Sequence, residues 1–116
     1  MFTNKLPWEQ AQAACQNEGS NLASIEDAAT NDFIFDLIEP KVRTYIGAFQ
    51  PPGSPKDSGW KWSDSSDWGF EYWGRSHLSG GEYCGEMLDN KEWNDHPCAG
   101  AQQFVCKIQL TGEETW

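Results

Sequence analysis

Apolar residues in the first third of the chain recur at helical spacing. Positions three and four residues apart, with Gly19 after them, predict a helix over residues 7–18. Ser24 and Asp27 have the spacing of a capping box, so a second helix is expected to begin near them. Pro40 lacks the backbone N–H that a helix interior needs, which predicts that this helix ends before it.

Beyond the second helix the pattern changes to short runs rich in aromatic and β-branched residues. These runs predict strands at residues 44–49, 60–63 and 103–108. Because the helices precede the strands instead of alternating with them, we expect an α+β fold with an antiparallel sheet. The stretch between Trp62 and Phe104 shows little periodicity. Stretches of that length are usually functional, so the binding surface is expected there.

The chain is strongly acidic. Its 116 residues include 8 Lys and Arg against 18 Asp and Glu, a formal net charge of -10. That charge repels phosphate groups and anionic lipids, so nucleic acid and membrane surfaces are not expected partners. No apolar run approaches the roughly 18 residues that span a bilayer, which argues against direct membrane insertion. The length fits one domain, and an acidic loop of such a domain is able to gather a hard cation such as calcium.

The four cysteines give an even count in a short chain, which favours two disulfides. Three pairings are open. One of them joins Cys84 to Cys98 within the aperiodic stretch and ties Cys15 on the first helix to Cys106 on the last strand. No Cys-x-x-Cys pair occurs, which disfavours a zinc site. Oxidised cysteines indicate a location outside the cytosol, as a secreted protein or as the ectodomain of a larger membrane-anchored one.

A series of short motifs runs through the chain in a definite order. They are Trp8-Glu9-Gln10-Ala11, Cys15, Gly19, Leu22-Ala23-Ser24-Ile25, Tyr45-Ile46-Gly47-Ala48, Trp60-Lys61-Trp62-Ser63-Asp64, Tyr72-Trp73, Cys84, Trp93-Asn94-Asp95, Cys98 and Phe104-Val105-Cys106-Lys107. In this order they resemble the C-type lectin-like domain over nearly the whole chain. The resemblance implies the family's double-loop α+β fold, with two helices, antiparallel sheets and the bridges Cys15–Cys106 and Cys84–Cys98.

The resemblance also implies how the chain is divided. Residues 1–110 correspond to the lectin-like domain, and residues 111–116 are interpreted as a tail or linker. The family's first strand precedes the first helix, where this chain has only Met1 to Leu6, so we expect that strand to be trimmed. On that expectation, the chain is either an artificially shortened piece or a domain cut from a longer secreted or membrane-anchored protein.

Sugar-binding members of the family hold calcium through side-chain oxygens that also hydrogen-bond to the sugar. The resemblance implies that Glu82, Asn94 and Asp95 are ligands of a single calcium ion here. The alternatives are a plain surface charge for Glu82 and a turn cap for Asn94 and Asp95. Trp93 is interpreted as a core residue that anchors the long loop. Tyr83 occupies the position of an acidic ligand for a second ion, which disfavours that ion.

The other half of the family's calcium site, a Glu-Pro-Asn or Gln-Pro-Asp tripeptide, is missing. Residues 73–82 stand in its place and contain neither a proline nor a carboxylate before Glu82. Arg75, His77 and Ser79 lie in this altered segment, and we expect them to contact the ligand.

These residues predict an extracellular recognition module that binds a glycan or glycoprotein with the assistance of calcium. The alternative is calcium-independent binding of a protein or another non-sugar ligand through the same long-loop surface. An enzyme is not expected, because His77 and His96 are the only histidines and every cysteine has a structural use.

Overall fold

The computed structural model describes residues 2–38, 41–51, 53, 59–74 and 82–108. Within these ranges the chain forms two α-helices and eight short β-strands. The helices are α1 (Trp8–Asn17) and α2 (Ala28–Leu37). The strands are β1 (Phe2–Leu6), β2 (Asn21–Leu22), β3 (Thr44–Phe49), β4 (Lys61–Trp62), β5 (Cys84–Met87), β6 (Trp93–His96), β7 (Gln102–Phe104) and β8 (Cys106–Lys107). The predicted α+β class is confirmed, and neither described helix has the length and apolar character to cross a membrane.

Helix α1 begins after Pro7, which has no N–H group that would need a hydrogen-bond partner. The helix buries Trp8, Ala11 and Cys15 on one face. The indole N–H of Trp8 donates to the carbonyl oxygen of Ile46 at 2.9 Å, which fixes the helix against β3. The helix predicted over residues 7–18 is therefore confirmed to within one residue at each end.

Helix α2 begins later than the sequence indicated. The Asp27 side chain accepts a hydrogen bond from the backbone N–H of Thr30 at 2.7 Å. Hydrogen bonding by the Thr30 side chain, and then by this backbone N–H, lowers the pKa of the Asp27 carboxyl. The predicted capping box is wrong, because the buried hydroxyl of Ser24 donates to Asp64 at 2.5 Å instead. The helix ends at Leu37, ahead of the proline that was expected to stop it.

The main sheet has the strand order β1-β7-β3-β5-β6, and β4 pairs with β3 beside this path. Its neighbours run antiparallel, except that β3 and β7 are parallel. A second sheet consists of β2 and β8. The predicted strand at residues 44–49 is confirmed as β3, and the one at residues 60–63 is shortened to β4.

The strand predicted at residues 103–108 divides into β7 and β8. The chain changes sheets at Val105. Its N–H still donates to the carbonyl oxygen of Tyr45 on β3, whereas its own carbonyl oxygen accepts from the N–H of Ala23, next to β2. One apolar run therefore contributes a strand to each of the two sheets.

Strands β1, β2, β5 and β6 were not predicted. The expectation of a trimmed first strand is wrong, because β1 is in place and pairs antiparallel with β7. Strand β2 pairs with β8, and β5 and β6 lie in the aperiodic stretch and pair with each other. All four strands are short, and they are defined by pairing with other strands, since none has a clear apolar pattern in its sequence.

Both disulfides implied by the resemblance are present. Cys15–Cys106 ties α1 to β8, and Cys84–Cys98 joins the start of β5 to the turn after β6. All four cysteines are used in these bridges. The second bridge closes the ends of the β5–β6 pair, which carries the candidate site.

Candidate functional site

Strands β5 and β6 form the frame of the candidate site. Their antiparallel register pairs Cys84 with His96, Gly85 with Asp95, Glu86 with Asn94 and Met87 with Trp93. Successive side chains of a strand point to opposite faces of the sheet, so Asn94 lies on the face of Glu86. Asp95 lies on the other face, opposite Gly85. The register thus places Asn94 and Asp95 on opposite faces of the sheet, where their side chains meet different groups.

Trp93 is a core residue, as predicted, and it is fully buried. Its indole packs edge-on against four aromatic rings of β4 and of the segment that follows it: Trp62, Trp68, Phe70 and Trp73. Its N–H donates to the side-chain oxygen of Asn31 on α2 at 2.8 Å. Trp93 therefore fixes β6 against both the aromatic segment and the second helix, and it sets the position of Asn94.

The side-chain amide of Asn94 has a defined orientation. Its nitrogen donates to Glu86 Oε2 at 2.7 Å and to the backbone oxygen of Asp95 at 2.7 Å. A carboxylate and a backbone carbonyl are acceptors only, so the amide atom that faces them is the nitrogen. The side-chain oxygen of the half-buried Asn94 consequently points away from Glu86.

Glu86 is a fully buried carboxylate surrounded by polar side chains. Its Oε2 lies 3.5 Å from Arg43 Nη1, and its Oε1 lies 3.6 Å from His96 Nδ1. Tyr45 is its partner on β3, and burial, together with the charge of Glu86, raises the pKa of the Tyr45 hydroxyl. Sequence reasoning missed Glu86. The available signal is a single acidic residue within Cys84–Met87.

Tyr45 ties the sheet to the turn behind β6. Its hydroxyl lies 2.9 Å from the carbonyl oxygen of Pro97 and 2.5 Å from that of Gly100. The same turn carries Cys98 of the second disulfide. A hydrogen-bonding hydroxyl and a covalent bridge thus hold the end of β6, which makes the frame around Asn94 and Asp95 rigid.

The residues predicted as metal ligands lie on or next to the β5–β6 pair. Asp95 follows Asn94 on β6 and is 1% exposed. Glu82 is half-buried and precedes β5 by two residues, just beyond the pair Cys84 and His96. Glu82, Asn94 and Asp95 offer oxygen atoms, the ligand type that calcium takes.

The other predicted ligand-contacting residues, Arg75, His77 and Ser79, lie outside the described residues. Within the ranges that are described, no group of three or more His, Cys, Asp or Glu side chains is arranged to hold a metal ion. Any site built on the described residues therefore depends on the Asn94 amide as well as on carboxylates.

The fold, the two bridges and the strand β6 motif together define a class of protein, and comparison with known families agrees. The family described as "Lectin C-type domain" matches residues 4–108. The chain belongs to this family.

Known relatives and a solved structure support the membership. "C-type lectin domain family 10 member A" of Rattus norvegicus is 31% identical over 114 residues, which cover 90% of this chain and 35% of that protein. "Galactose-specific lectin nattectin" of Thalassophryne nattereri is 32% identical over 114 residues, covering 90% and 69%. Human lithostathine superposes with a TM-score of 0.83 at 28% identity, covering 93% of this chain and 88% of that one. The chain spans about a third of the length of the rat relative.

Proposed function

We propose that this domain binds carbohydrate with the assistance of one calcium ion, and that Glu82, Asn94 and Asp95 hold the ion. Asn94 and Asp95 lie on opposite faces of β6, but β6 is the edge strand of the main sheet, where side chains of both faces are able to reach one ion. The observation that carries the proposal is the oriented amide of Asn94. Because its nitrogen is bonded to Glu86 and to the backbone, its oxygen is the atom presented to a ligand. Calcium takes roughly six to eight oxygen ligands, and neighbouring sugar hydroxyls are able to complete that shell.

Glu86 acts here as a positioning residue. Its fully buried carboxylate cannot turn towards solvent, and it keeps the nitrogen of Asn94 away from the ligand side. Residues that orient a metal ligand in this way typically change metal affinity by about 10- to 100-fold when they are replaced. The orientation of Asn94 is therefore as important to the proposal as its identity.

Asp95 and Glu82 supply the negative charge that attracts a cation. Asp95 is almost fully buried on a strand held at its end by a disulfide, so little side-chain freedom remains to be lost on binding. The net charge of -10 adds a long-range attraction for cations.

The choice of sugar is proposed to lie with the segment that replaces the family's tripeptide. Arg75, His77 and Ser79 offer hydrogen-bond donors and acceptors of a kind that a Glu-Pro-Asn tripeptide does not. We therefore expect an altered sugar preference, set by these three side chains.

The proposed partner is a glycan or a glycoprotein outside the cell. Nattectin, which is named a galactose-specific lectin, supports a sugar as the ligand. The two disulfides support an oxidising compartment, for a secreted protein or for an ectodomain. The proposal is one of binding, with no catalytic step.

Isothermal titration calorimetry with calcium tests the proposal. We expect one ion per chain, and we expect Asp95→Ala and Asn94→Ala each to weaken binding by about tenfold or more, because each removes an oxygen ligand. Asp36→Ala is the matched control, since it removes the same charge as Asp95→Ala from an exposed position on α2. Absence of calcium binding, or equal weakening by the control, would refute the proposed site. Retention on a sugar resin in calcium and its loss in EDTA test the second half of the proposal.

A second candidate is calcium-independent binding of a protein or another non-sugar ligand through the same surface. The missing tripeptide favours it, because residues 73–81 contain neither a proline nor a carboxylate. A partner that stays bound in EDTA, and that the Asn94→Ala variant still binds, would favour this candidate over the first.

A further inference from the structure

A cleft of about 600 Å³ lies between the start of α1, the end of β3, the start of β5 and the turn after β6. Clefts of this size hold small ligands in many proteins. The residues proposed above to hold calcium, Glu82, Asn94 and Asp95, are not among those that line it. Its apolar wall includes Trp8, Phe49, Cys84, Pro97, Cys98 and Ala99.

The main apolar side chains of this cleft lie on one face of the sheet. Phe49 pairs with Cys84 across β3 and β5, so their side chains share a face. Trp8 packs on the same face, and the centroid of its ring lies 5.3 Å from that of Phe49. Together with Cys98, these residues belong to one apolar cluster. The register therefore brings an aromatic ring pair next to the second disulfide.

Hydrogen bonds and a covalent bridge hold the walls of the cleft in place. The backbone N–H of Trp8 donates to the carbonyl oxygen of Cys98 at 3.0 Å, which joins α1 to the turn after β6. The indole N–H of Trp8 donates to Ile46, so the ring has a fixed orientation. The bridge from Cys98 to Cys84 fixes the same turn to β5. A cleft that is formed in advance loses little conformational freedom when a ligand binds.

The charge at the cleft is negative. Among the described residues that line it, Glu9 carries a charge and none is basic. Glu9 is exposed and makes no ion pair within the described ranges. A neighbouring cleft of about 300 Å³ shares Glu9, Cys98 and Ala99 with the first, so Glu9 lies at the border between the two. The net charge of -10 also attracts cations to the surface. The cleft is therefore complementary to an apolar molecule with a positive charge.

We propose that this cleft binds a small amphipathic cation, an aromatic ring that carries an alkylammonium group. The ring of the ligand packs against the pair formed by Trp8 and Phe49, whose faces also attract a cation. The ammonium group lies at the border of the cleft, next to the carboxylate of Glu9. An anionic ligand of the same shape is repelled by that carboxylate. No calcium ion takes part in this binding.

A nuclear magnetic resonance titration of the isotope-labelled whole chain, in EDTA and at neutral pH, tests the proposal. The probes are phenethylamine, phenethyl alcohol and hydrocinnamate, which share one ring and differ in charge. We expect saturable binding of the amine with a dissociation constant of about 1 mM. We expect the alcohol to bind about threefold more weakly and the carboxylate about tenfold more weakly. The largest shifts should be those of the backbone amides of Trp8 and Ala99.

Two variants with matched controls examine the charge and the ring separately. Glu9→Gln should weaken binding of the amine about threefold and leave that of the alcohol unchanged. Its control, Glu18→Gln, removes the same charge from an exposed position at the other end of α1. Phe49→Leu should weaken binding of all three probes about threefold, because it removes one aromatic ring. Its control, Phe33→Leu, makes the same change at an exposed position of α2.

Binding of the amine that Glu9→Gln weakens and Glu18→Gln does not supports the proposal. Equal binding of the three probes, or equal weakening by the two glutamate variants, overturns it. The absence of saturable binding, or shifts centred away from Trp8 and Ala99, also overturns it. If Phe49→Leu fails to fold, the charge series and Glu9→Gln decide, because Glu9 is exposed.

Discussion

The contact between Asn94 and Glu86 makes an unusual prediction for the substitution Asn94→Asp. If calcium binding depended only on the number of carboxylates, this substitution would strengthen it. The structure predicts that the substitution destabilises the fold around the site instead. The new carboxylate would face Glu86 Oε2 at the position where the amide nitrogen now donates at 2.7 Å. A hydrogen bond would be replaced by a repulsion between like charges in a buried place.

The magnitude follows from the two changes. Loss of a hydrogen bond to a charged group removes about 1.5–3 kcal/mol. Two unit charges at this separation repel by about 6 kcal/mol at an effective dielectric constant of about 20, which is an upper limit because either carboxyl is able to move or to take up a proton. We expect the free energy of unfolding to fall by about 3 kcal/mol at neutral pH. Urea unfolding followed by tryptophan fluorescence measures this change.

The control exchanges the amide and the carboxylate between positions 86 and 94. Glu86→Gln alone keeps an acceptor for Asn94 and loses only the charge, so we expect a change of about 1 kcal/mol. With Glu86→Gln and Asn94→Asp together, the new amide at position 86 donates to the new carboxylate at position 94, and stability should return towards that of the unaltered chain. The cycle should give a coupling of about 2 kcal/mol. If Asn94→Asp alone leaves stability unchanged, or if the double variant is merely additive, the amide orientation described above is wrong.

Three further predictions concern other contacts. Tyr45→Phe should lower the free energy of unfolding by about 1–2 kcal/mol. Folding raises the pKa of this hydroxyl, so its contribution is complete below about pH 10 and declines above it, and urea titrations should show a smaller alkaline loss in the variant. Asp27→Ala should lower the urea midpoint at pH 7, with Asp27→Asn as a capping control; because the pKa of Asp27 is lowered, the difference should shrink as the pH falls below about 4. Gly85→Ala would place a Cβ 2.6 Å from Cβ of Ala48 and should destabilise by about 1–3 kcal/mol in thermal melts, and Ala48→Gly should restore much of the loss.

The elements that could be predicted from the sequence are those defined by their own pattern. Helix α1 was predicted by the helical spacing of its apolar residues. Strand β3 (Thr44–Phe49) was predicted by an apolar run, and five of its six residues are buried. Strand β5 has no such pattern, since its four residues include Gly85 and Glu86, which disfavour strands. Pairing with β3 and β6, together with the bridge at Cys84, overrides that local preference.

The start of α2 was misjudged because of a contact that spacing cannot reveal. The Ser24 hydroxyl bonds to Asp64, 40 residues away, and Lys107 donates to the backbone oxygen of Ser24 at 3.0 Å. With Ser24 held by these tertiary contacts, Asp27 becomes the first side chain free to cap the helix. The helix remains, but its cap moves by three residues.

The candidate site, too, could be predicted from the sequence only in part. Asn94 and Asp95 stand in a short motif that the resemblance identifies, so sequence suffices to single them out. Glu86 is different, because its role depends on which strands are neighbours and on the register between them. Positions 86 and 94 become partners only when β5 and β6 pair antiparallel.

A carboxylate in the middle of a sheet is a poor way to stabilise a fold. Glu86 is fully buried, yet Arg43 and the His96 ring lie 3.5 and 3.6 Å away, and Arg43 is mostly exposed. Buried ion pairs with such loose geometry are often no better for stability than apolar residues of the same volume. Among the described residues, the short contact of its side chain is with the amide of Asn94, at 2.7 Å. Glu86 is therefore better explained by the orientation it gives to Asn94 than by stability, and this makes it part of the candidate site.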